Sequence, residues 1–143
     1  MYQSSACIQN YLPLRGRKLT VLIDSWAWIE YYRGSGYGER AREIIEGNEE
    51  AYISAVNIAE IYRWLLRYYG EIEAEEERKS LKNRCIIVPV DEGIAVEAAK
   101  IRHKMGLGLG DSIVLATARK VGAKVVTGDR AFKELKEVIY LGD

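Results

Sequence analysis

Cysteine, proline and histidine are all scarce in this 143-residue chain, and the first and last of these shortages each exclude a class of protein. The two cysteines, Cys7 and Cys85, are too few for a disulfide scaffold. Neither belongs to a C-x-x-C pair and His103 is the single histidine, so a cysteine–histidine zinc site is excluded. Cys85 stands beside Ile86-Ile87-Val88 and reads as a small core residue. Net charge is lacking too. The 21 Lys+Arg balance 21 Asp+Glu, so any attraction for nucleic acid must come from a local basic patch. No apolar run approaches the ~20 residues that a bilayer span needs. The first residues also lack the basic-then-apolar order of a secretory signal. A cytoplasmic protein with no membrane partner is the expectation.

What is present fits one globular domain. With 48% hydrophobic and 29% charged residues, the chain is too apolar and too evenly charged for disorder. Residues 1–18 show no clean period and contain Pro13 and Gly16; they read as an irregular N-terminal extension. The domain proper, 19–143, opens with the β-rich run Leu19-Thr20-Val21-Leu22-Ile23, a buried strand ending at Asp24-Ser25. A helix follows with Trp26, Ile29 and Tyr32 on its inward stripe, broken by the glycines at 34, 36 and 38. A short helix then turns Ala41, Ile44 and Ile45 inward.

Ala51-Tyr52-Ile53 is a second strand. Ser54 caps a long helix to about Tyr69, with Ile58, Ile61, Leu65 and Tyr68 as its core stripe. A highly charged helix over 71–84 leads to the third strand, Ile86-Ile87-Val88. Asp91 starts another helix, with Ile94, Ala98, Ile101 and Met105 inward and His103 outward. The run Gly106 to Gly110 reads as a flexible link into a buried helix from Asp111 to about Lys120. It follows a helix rather than a strand, which argues against a dinucleotide fingerprint. Lys124-Val125-Val126-Thr127 is a fourth strand. A last short helix and Val138-Ile139-Tyr140-Leu141 complete the pattern. Strands alternating with helices predict an α/β fold, a parallel sheet covered on both faces.

The acids carry the chemistry. Sixteen are glutamates and only five are aspartates, so each aspartate needs its own explanation. Asp24 follows the first strand, Asp129 follows the fourth, and Asp111 opens a buried helix; all three positions belong to the carboxyl edge of a parallel sheet, where ligands bind. Glu60 lies about 9 Å up its helix from Ser54, at 1.5 Å per residue, within reach of the same point. Singly these are ordinary residues: Asp111 and Asp24 read as helix caps, Asp129 as a turn residue and Glu60 as surface. Together, at consistent topological places, they read as a four-carboxylate site. Such a cluster needs protons or a divalent cation to exist. With no histidine or cysteine among them the donors are all oxygen, which favours Mg²⁺ or Mn²⁺. Hydrolysis of a phosphodiester is the natural chemistry of that arrangement.

The residues that carry this pattern also resemble a known family. Val21-Leu22-Ile23-Asp24-Ser25, Tyr52 to Glu60, Gly108 to Ala116 and Val125 to Phe132 resemble, in order and spacing, the motifs of PIN-domain ribonucleases, in particular VapC-type toxins of VapBC toxin–antitoxin pairs. The resemblance covers the chain from about residue 19 onward. It implies a three-layer α/β/α sandwich with a central parallel sheet of strand order 3-2-1-4-5, which periodicity alone does not give. It implies that Asp24, Glu60, Asp111 and Asp129 are the catalytic metal site and that Thr127 supports it by hydrogen bonding, with Ser25 and Ser112 as further helpers. It implies an endoribonuclease acting on an RNA substrate without a side-chain nucleophile. It further implies a homodimer and a VapB-type antitoxin that wraps the groove near the early helices. Arg33, Arg63, Arg67, Arg130 and Lys133 are candidates to hold RNA phosphates, with Tyr31, Tyr32 or Trp64 available for stacking. The alternatives are a PIN nuclease of RNA processing or of DNA structures, a non-catalytic PIN-fold binding module, and an unrelated phosphohydrolase.

Overall fold

The computed structural model describes residues 19–143, and the N-terminal extension over 1–18, with Cys7, lies outside the described residues. Five strands form one sheet: β1 (Thr20–Ile23), β2 (Glu50–Ser54), β3 (Ile86–Val88), β4 (Lys124–Thr127) and β5 (Val138–Tyr140). All neighbours run parallel and the order is β3-β2-β1-β4-β5. The helices are α1 (Ser25–Arg33), α2 (Gly36–Ile45), α3 (Ala55–Tyr69), α4 (Glu71–Arg84), α5 (Glu92–Met105) and α6 (Leu109–Val121).

β1 explains the layering. Val21, Leu22 and Ile23 are all fully buried, because a central parallel strand is covered on both faces and so reads as an unbroken apolar run. Val21 and Ile23 join Trp28, Ile44, Ile53, Ile61 and Leu81 in the core under α1 to α4. Leu22 faces the other way, into Ile94, Ile101, Val114, Leu115 and Phe132 under α5 and α6. The result is an α/β/α sandwich. Cys85 is buried in the first core, and burial pushes its thiol up to about 11, as suits a packing residue.

Several local readings need correction. Only Gly34 breaks α1, in the left-handed region at φ 68°; Gly36 and Gly38 lie inside α2, which Ser35 caps at the Gly38 N–H, 3.1 Å away. Gly38 is glycine because a Cβ there would overlap the Glu30 carbonyl, so the α1–α2 corner closes backbone on backbone. The inward residues of α1 are Ala27 and Trp28, while Trp26, Ile29 and Tyr32 are only partly covered. Tyr68 and Met105, near the ends of α3 and α5, are exposed rather than part of the core stripes. The Gly106–Gly110 run is not a link throughout: Gly106 ends α5, and α6 already begins at Leu109. The final helix is a single 3₁₀ turn, Arg130–Phe132. His103 is exposed, as its position outside the stripe requires.

Candidate active site

The chain leaves β1 towards β2 and β3, then returns to add β4 and β5 on the other side. The gap beyond the carboxyl ends of β1 and β4 is therefore the switch point of the sheet, where loops diverge and leave a crevice. Asp24 sits at this point, its backbone N–H donating to the Val126 carbonyl at 3.0 Å. It occupies the N-cap position of α1, yet its side chain caps nothing. The carboxylate is buried at 5% exposure. Its Oδ2 accepts from Thr127 Oγ1 at 2.8 Å, and its Oδ1 accepts from Asn57 Nδ2 at 3.0 Å. Burial raises its pKa to about 6 against the lowering effect of the Thr127 hydrogen bond; the charges of Glu60 and Asp111 add to the rise.

The other acids surround it. Asp111 is not a cap either: Gly108 holds that position, and Asp111 lies half-buried in the first turn of α6. Burial raises its pKa to about 6, with the charges of Asp129 and Glu60 contributing next. Glu60, on the exposed side of α3, leans inward and accepts from Ser25 Oγ at 2.7 Å. Asp129 follows β4; its N–H donates to Thr127 Oγ1 at 3.1 Å, and its Oδ1 accepts from the Ala131 N–H at 2.9 Å, so it also caps the 3₁₀ turn. The structure thus brings all four sequence-derived acids and Thr127 to one crevice. Ser25 belongs to the same network. Ser112 does not: its hydroxyl donates to the Gly108 carbonyl at 2.9 Å.

Asn57 is the residue that sequence reasoning passed over. It is fully buried at N3 of α3, and its Oδ1 accepts from the Ser54 N–H at 3.1 Å, completing a capping box. Its Nδ2 then faces both Asp24 and, at 2.8 Å, Ser25 Oγ. A directed network results. Thr127 and Asn57 donate to Asp24, Asn57 donates to Ser25, and Ser25 donates to Glu60. The available signal was an asparagine three residues beyond a serine cap, among apolar neighbours, where a surface residue would be out of place.

The donor set suits a hard divalent cation. All the groups are oxygen, two carboxyls are raised by burial and by the charges of neighbouring acids, and the ion pairs of the described residues are made by other acids such as Glu30, Asp91, Glu137 and Asp143. Among the described residues no three acid, histidine or cysteine side chains already stand at the spacing of a closed metal cage. Glu60 is turned to Ser25 and Asp129 to its own turn, so the carboxylates border a common basin without meeting at one point.

A family model for the PIN domain matches residues 21–138, a span that contains every residue of this network. The chain belongs to the PIN domain family. Solved structures share its fold at low identity. A toxin–antitoxin complex from Klebsiella pneumoniae matches with a TM-score of 0.72 at 21% identity, over 86% of this chain and 98% of that one. VapBC2 from Rickettsia felis, bound to a DNA fragment from its promoter, gives 0.66 at 14% identity, over 85% and 97%. The Mycobacterium tuberculosis toxin VapC20, described as cleaving the sarcin–ricin loop, gives 0.63 at 18% identity, over 82% and 98%. Comparison with curated protein sequences gives no significant match.

Around the PIN-domain crevice, the basic candidates divide. Arg130 lines a hollow with Asp129, Trp26 and Tyr37, while Arg63 and Arg67 line one with Glu60. Arg33 pairs with Glu30 at 2.9 Å, and Lys133 donates to the Asp143 carbonyl at 3.0 Å. Tyr31 and Tyr32 are partly buried and pack against the core, as Trp64 does. Among the described residues no helix is long and apolar enough to cross a membrane.

Proposed function

We propose that this PIN domain is a metal-dependent endoribonuclease and the toxin of a toxin–antitoxin pair. In this reading Asp24, Glu60, Asp111 and Asp129 hold Mg²⁺ or Mn²⁺. One observation carries it: a buried aspartate at the switch point of the sheet, raised to about 6 and bordered by three further acids with no basic partner among the described residues. The toxin assignment draws support from neighbours described as toxin–antitoxin complexes, and the RNA substrate from the neighbour described as cleaving the sarcin–ricin loop. A VapB-type antitoxin partner, a homodimer and a cytoplasmic location belong to the same proposal.

The residues divide the work. Asp24 is the fixed anchor, held from two sides by Thr127 and Asn57. Ser25 holds Glu60 over the basin, and Asp111 completes the wall from α6. A divalent cation bound there supplies neutralisation of the phosphate charge, a lowered pKa for an attacking water and stabilisation of the leaving oxygen. No side-chain nucleophile is needed. The Ser25 and Thr127 hydroxyls both donate to carboxylates, which commits their protons to orientation rather than attack. Hydrolysis by solvent water is the consistent outcome, with both raised carboxyls ionised above pH 6.

The test is cleavage of a mixed tRNA and mRNA pool by purified protein with Mg²⁺, Mn²⁺ or EDTA, with Asp24→Asn and Asp111→Asn as controls. Metal-dependent cutting lost in both variants, each still folded, is the expected result. Equal cutting in EDTA, or full activity in either variant, overturns the assignment. Absence of cutting from protein free of co-purified antitoxin leaves a binding module instead.

A further inference from the structure

The aromatic residues of α1 and α3 form a ladder that starts in the core and ends in solvent. Trp28 packs against Tyr32 at 6.0 Å between ring centroids, Tyr32 stacks on Trp64 at 6.4 Å and 18°, and Trp64 meets Tyr68 at 5.1 Å and Tyr69 at 5.6 Å. The inner rungs are covered, whereas Tyr68 and Tyr69 are 59% and 52% exposed. Two aromatic rings are therefore held at the surface by a packed column behind them, so little side-chain freedom remains to be lost on binding.

Position and charge give this feature a use. A hollow of about 470 Å³ is lined by Ile29, Glu60, Arg63, Trp64, Arg67 and Tyr68. A second, sharing Trp64 and Tyr68, continues it to Arg33 and Tyr69. Glu60 lines the first hollow, so the groove reaches one of the four acids. From Glu60 to Tyr68 is about 12 Å along the helix at 1.5 Å per residue, the reach of a few nucleotides. Its cations are Arg33, Arg63 and Arg67, and Arg67 lies 5.5 Å from the centre of the Tyr68 ring. Exposed rings beside arginines match single-stranded nucleic acid, whose bases stack and whose phosphates need positive charge. In a chain of zero net charge, such a local patch is what affinity for RNA requires.

We propose that the groove from Glu60 to Tyr69 is the binding track for single-stranded RNA next to the scissile phosphate. One base stacks on Tyr68, while Arg63 and Arg67 hold the flanking phosphates. The inference rests on the ribonuclease reading and names the side from which the strand enters the site. An unpaired substrate follows from it, since a base within a duplex cannot present its face to Tyr68.

The experiment uses the full chain carrying Asp24→Asn, which can bind without completing the reaction, and a fluorescein-labelled single-stranded RNA followed by anisotropy. Adding Tyr68→Ala should weaken binding about tenfold, as loss of one stacked base does. Tyr68→Phe should retain affinity, because the ring face is kept. Arg63→Ala and Arg67→Ala should each lower the slope of log affinity against log salt by about one. In the otherwise wild-type chain, Tyr68→Ala should raise KM far more than it lowers kcat. Unchanged RNA affinity in Tyr68→Ala, with the wild type still cutting RNA, overturns the track, leaves the nuclease standing and gives this face to a protein partner. Failure of the wild-type chain both to cut and to bind RNA overturns the nuclease reading and the track together.

Discussion

Asn57 Nδ2 lies 3.0 Å from Asp24 Oδ1, joining the first turn of α3 to the end of β1 across 33 positions of sequence. The same side chain closes the capping box of α3 through its Oδ1. Helix start and carboxylate anchor are thus one device. Asn57→Ala should leave the Ser54 N–H and Asp24 Oδ1 without these partners in a buried place, at a cost of about 2 kcal/mol in stability. Urea denaturation measures it, and activity should fall as well because Asp24 loses one of its two fixed supports. A variant as stable and as active as the parent removes Asn57 from the site.

Thr127 supports Asp24 from the other side and also accepts from the Asp129 N–H. Thr127→Val keeps the shape and deletes the hydroxyl. Since that hydrogen bond lowers the Asp24 pKa, its removal should raise the carboxyl beyond its present value of about 6. The acid limb of the pH–activity profile should therefore move to higher pH. An acid limb that stays in place means the hydroxyl does not tune Asp24.

The raised carboxyls predict an unusual pH dependence of folding. Asp24 and Asp111 have pKa values of about 6 in the folded chain, against an ordinary 3.8. The folded state then binds their protons more tightly, so the penalty is fully present above pH 6 and gone below 3.8. In EDTA, stability should rise as the pH falls from 7.5 to 5, by about 1.4 kcal/mol from Asp24, since about half of its pKa shift is traversed in that window. Glu75, Asp91 and Asp143, whose pKa values are lowered, act the opposite way, but only below their ordinary values near 4. Asp24→Asn removes the buried charge and should be more stable than the parent at pH 7.5, with a flatter profile. A parent whose urea midpoint does not rise between pH 7.5 and 5 contradicts the charged crevice.

Addition of cation should reverse that trend. A ligand that binds only the folded state stabilises it by RT ln(1 + [L]/Kd), so Mg²⁺ or Mn²⁺ should raise Tm at pH 7.5. Protons compete for Asp24 and Asp111, so the rise should fade by pH 5. Differential scanning calorimetry across pH and metal concentration checks it. An equal metal-dependent rise in Asp111→Asn places the cation elsewhere.

Much of this was legible in the residues, for identifiable reasons. β1 and β4 announce themselves because central parallel strands are apolar on both faces, and the aspartates stand out because so few exist. Strand order was not legible from periodicity, since the hydrophobic period of β2 is the same whichever neighbour it takes; it came from the family resemblance and agrees with the structure. Asn57 escaped because one asparagine on an amphipathic helix looks like surface until its neighbours across the sheet are known. The inward face of α1 was misread for a related reason. Trp26, Ile29 and Tyr32 make the larger apolar stripe, but Ala27 and Trp28 are the ones buried in the core, and which face turns inward depends on packing partners distant in sequence.

Gly128 separates Thr127 from Asp129, and its Cα lies directly beneath the Trp26 indole; a Cβ there would overlap the six-membered ring. Trp26 has little room to yield, since it packs edge-on against Tyr37 at 5.5 Å. Gly128→Ala must therefore displace either the indole or the short link that sets Thr127 and Asp129 relative to Asp24. Overpacking of this kind costs about 1–3 kcal/mol in stability. If the link moves, the Asp129 N–H loses Thr127 Oγ1 and activity falls much further than the modest destabilisation explains. If the indole moves instead, activity survives and Trp26 fluorescence changes. Adding Trp26→Leu separates the two cases, because a smaller side chain should restore both stability and activity to Gly128→Ala only if the clash with the indole is the cause.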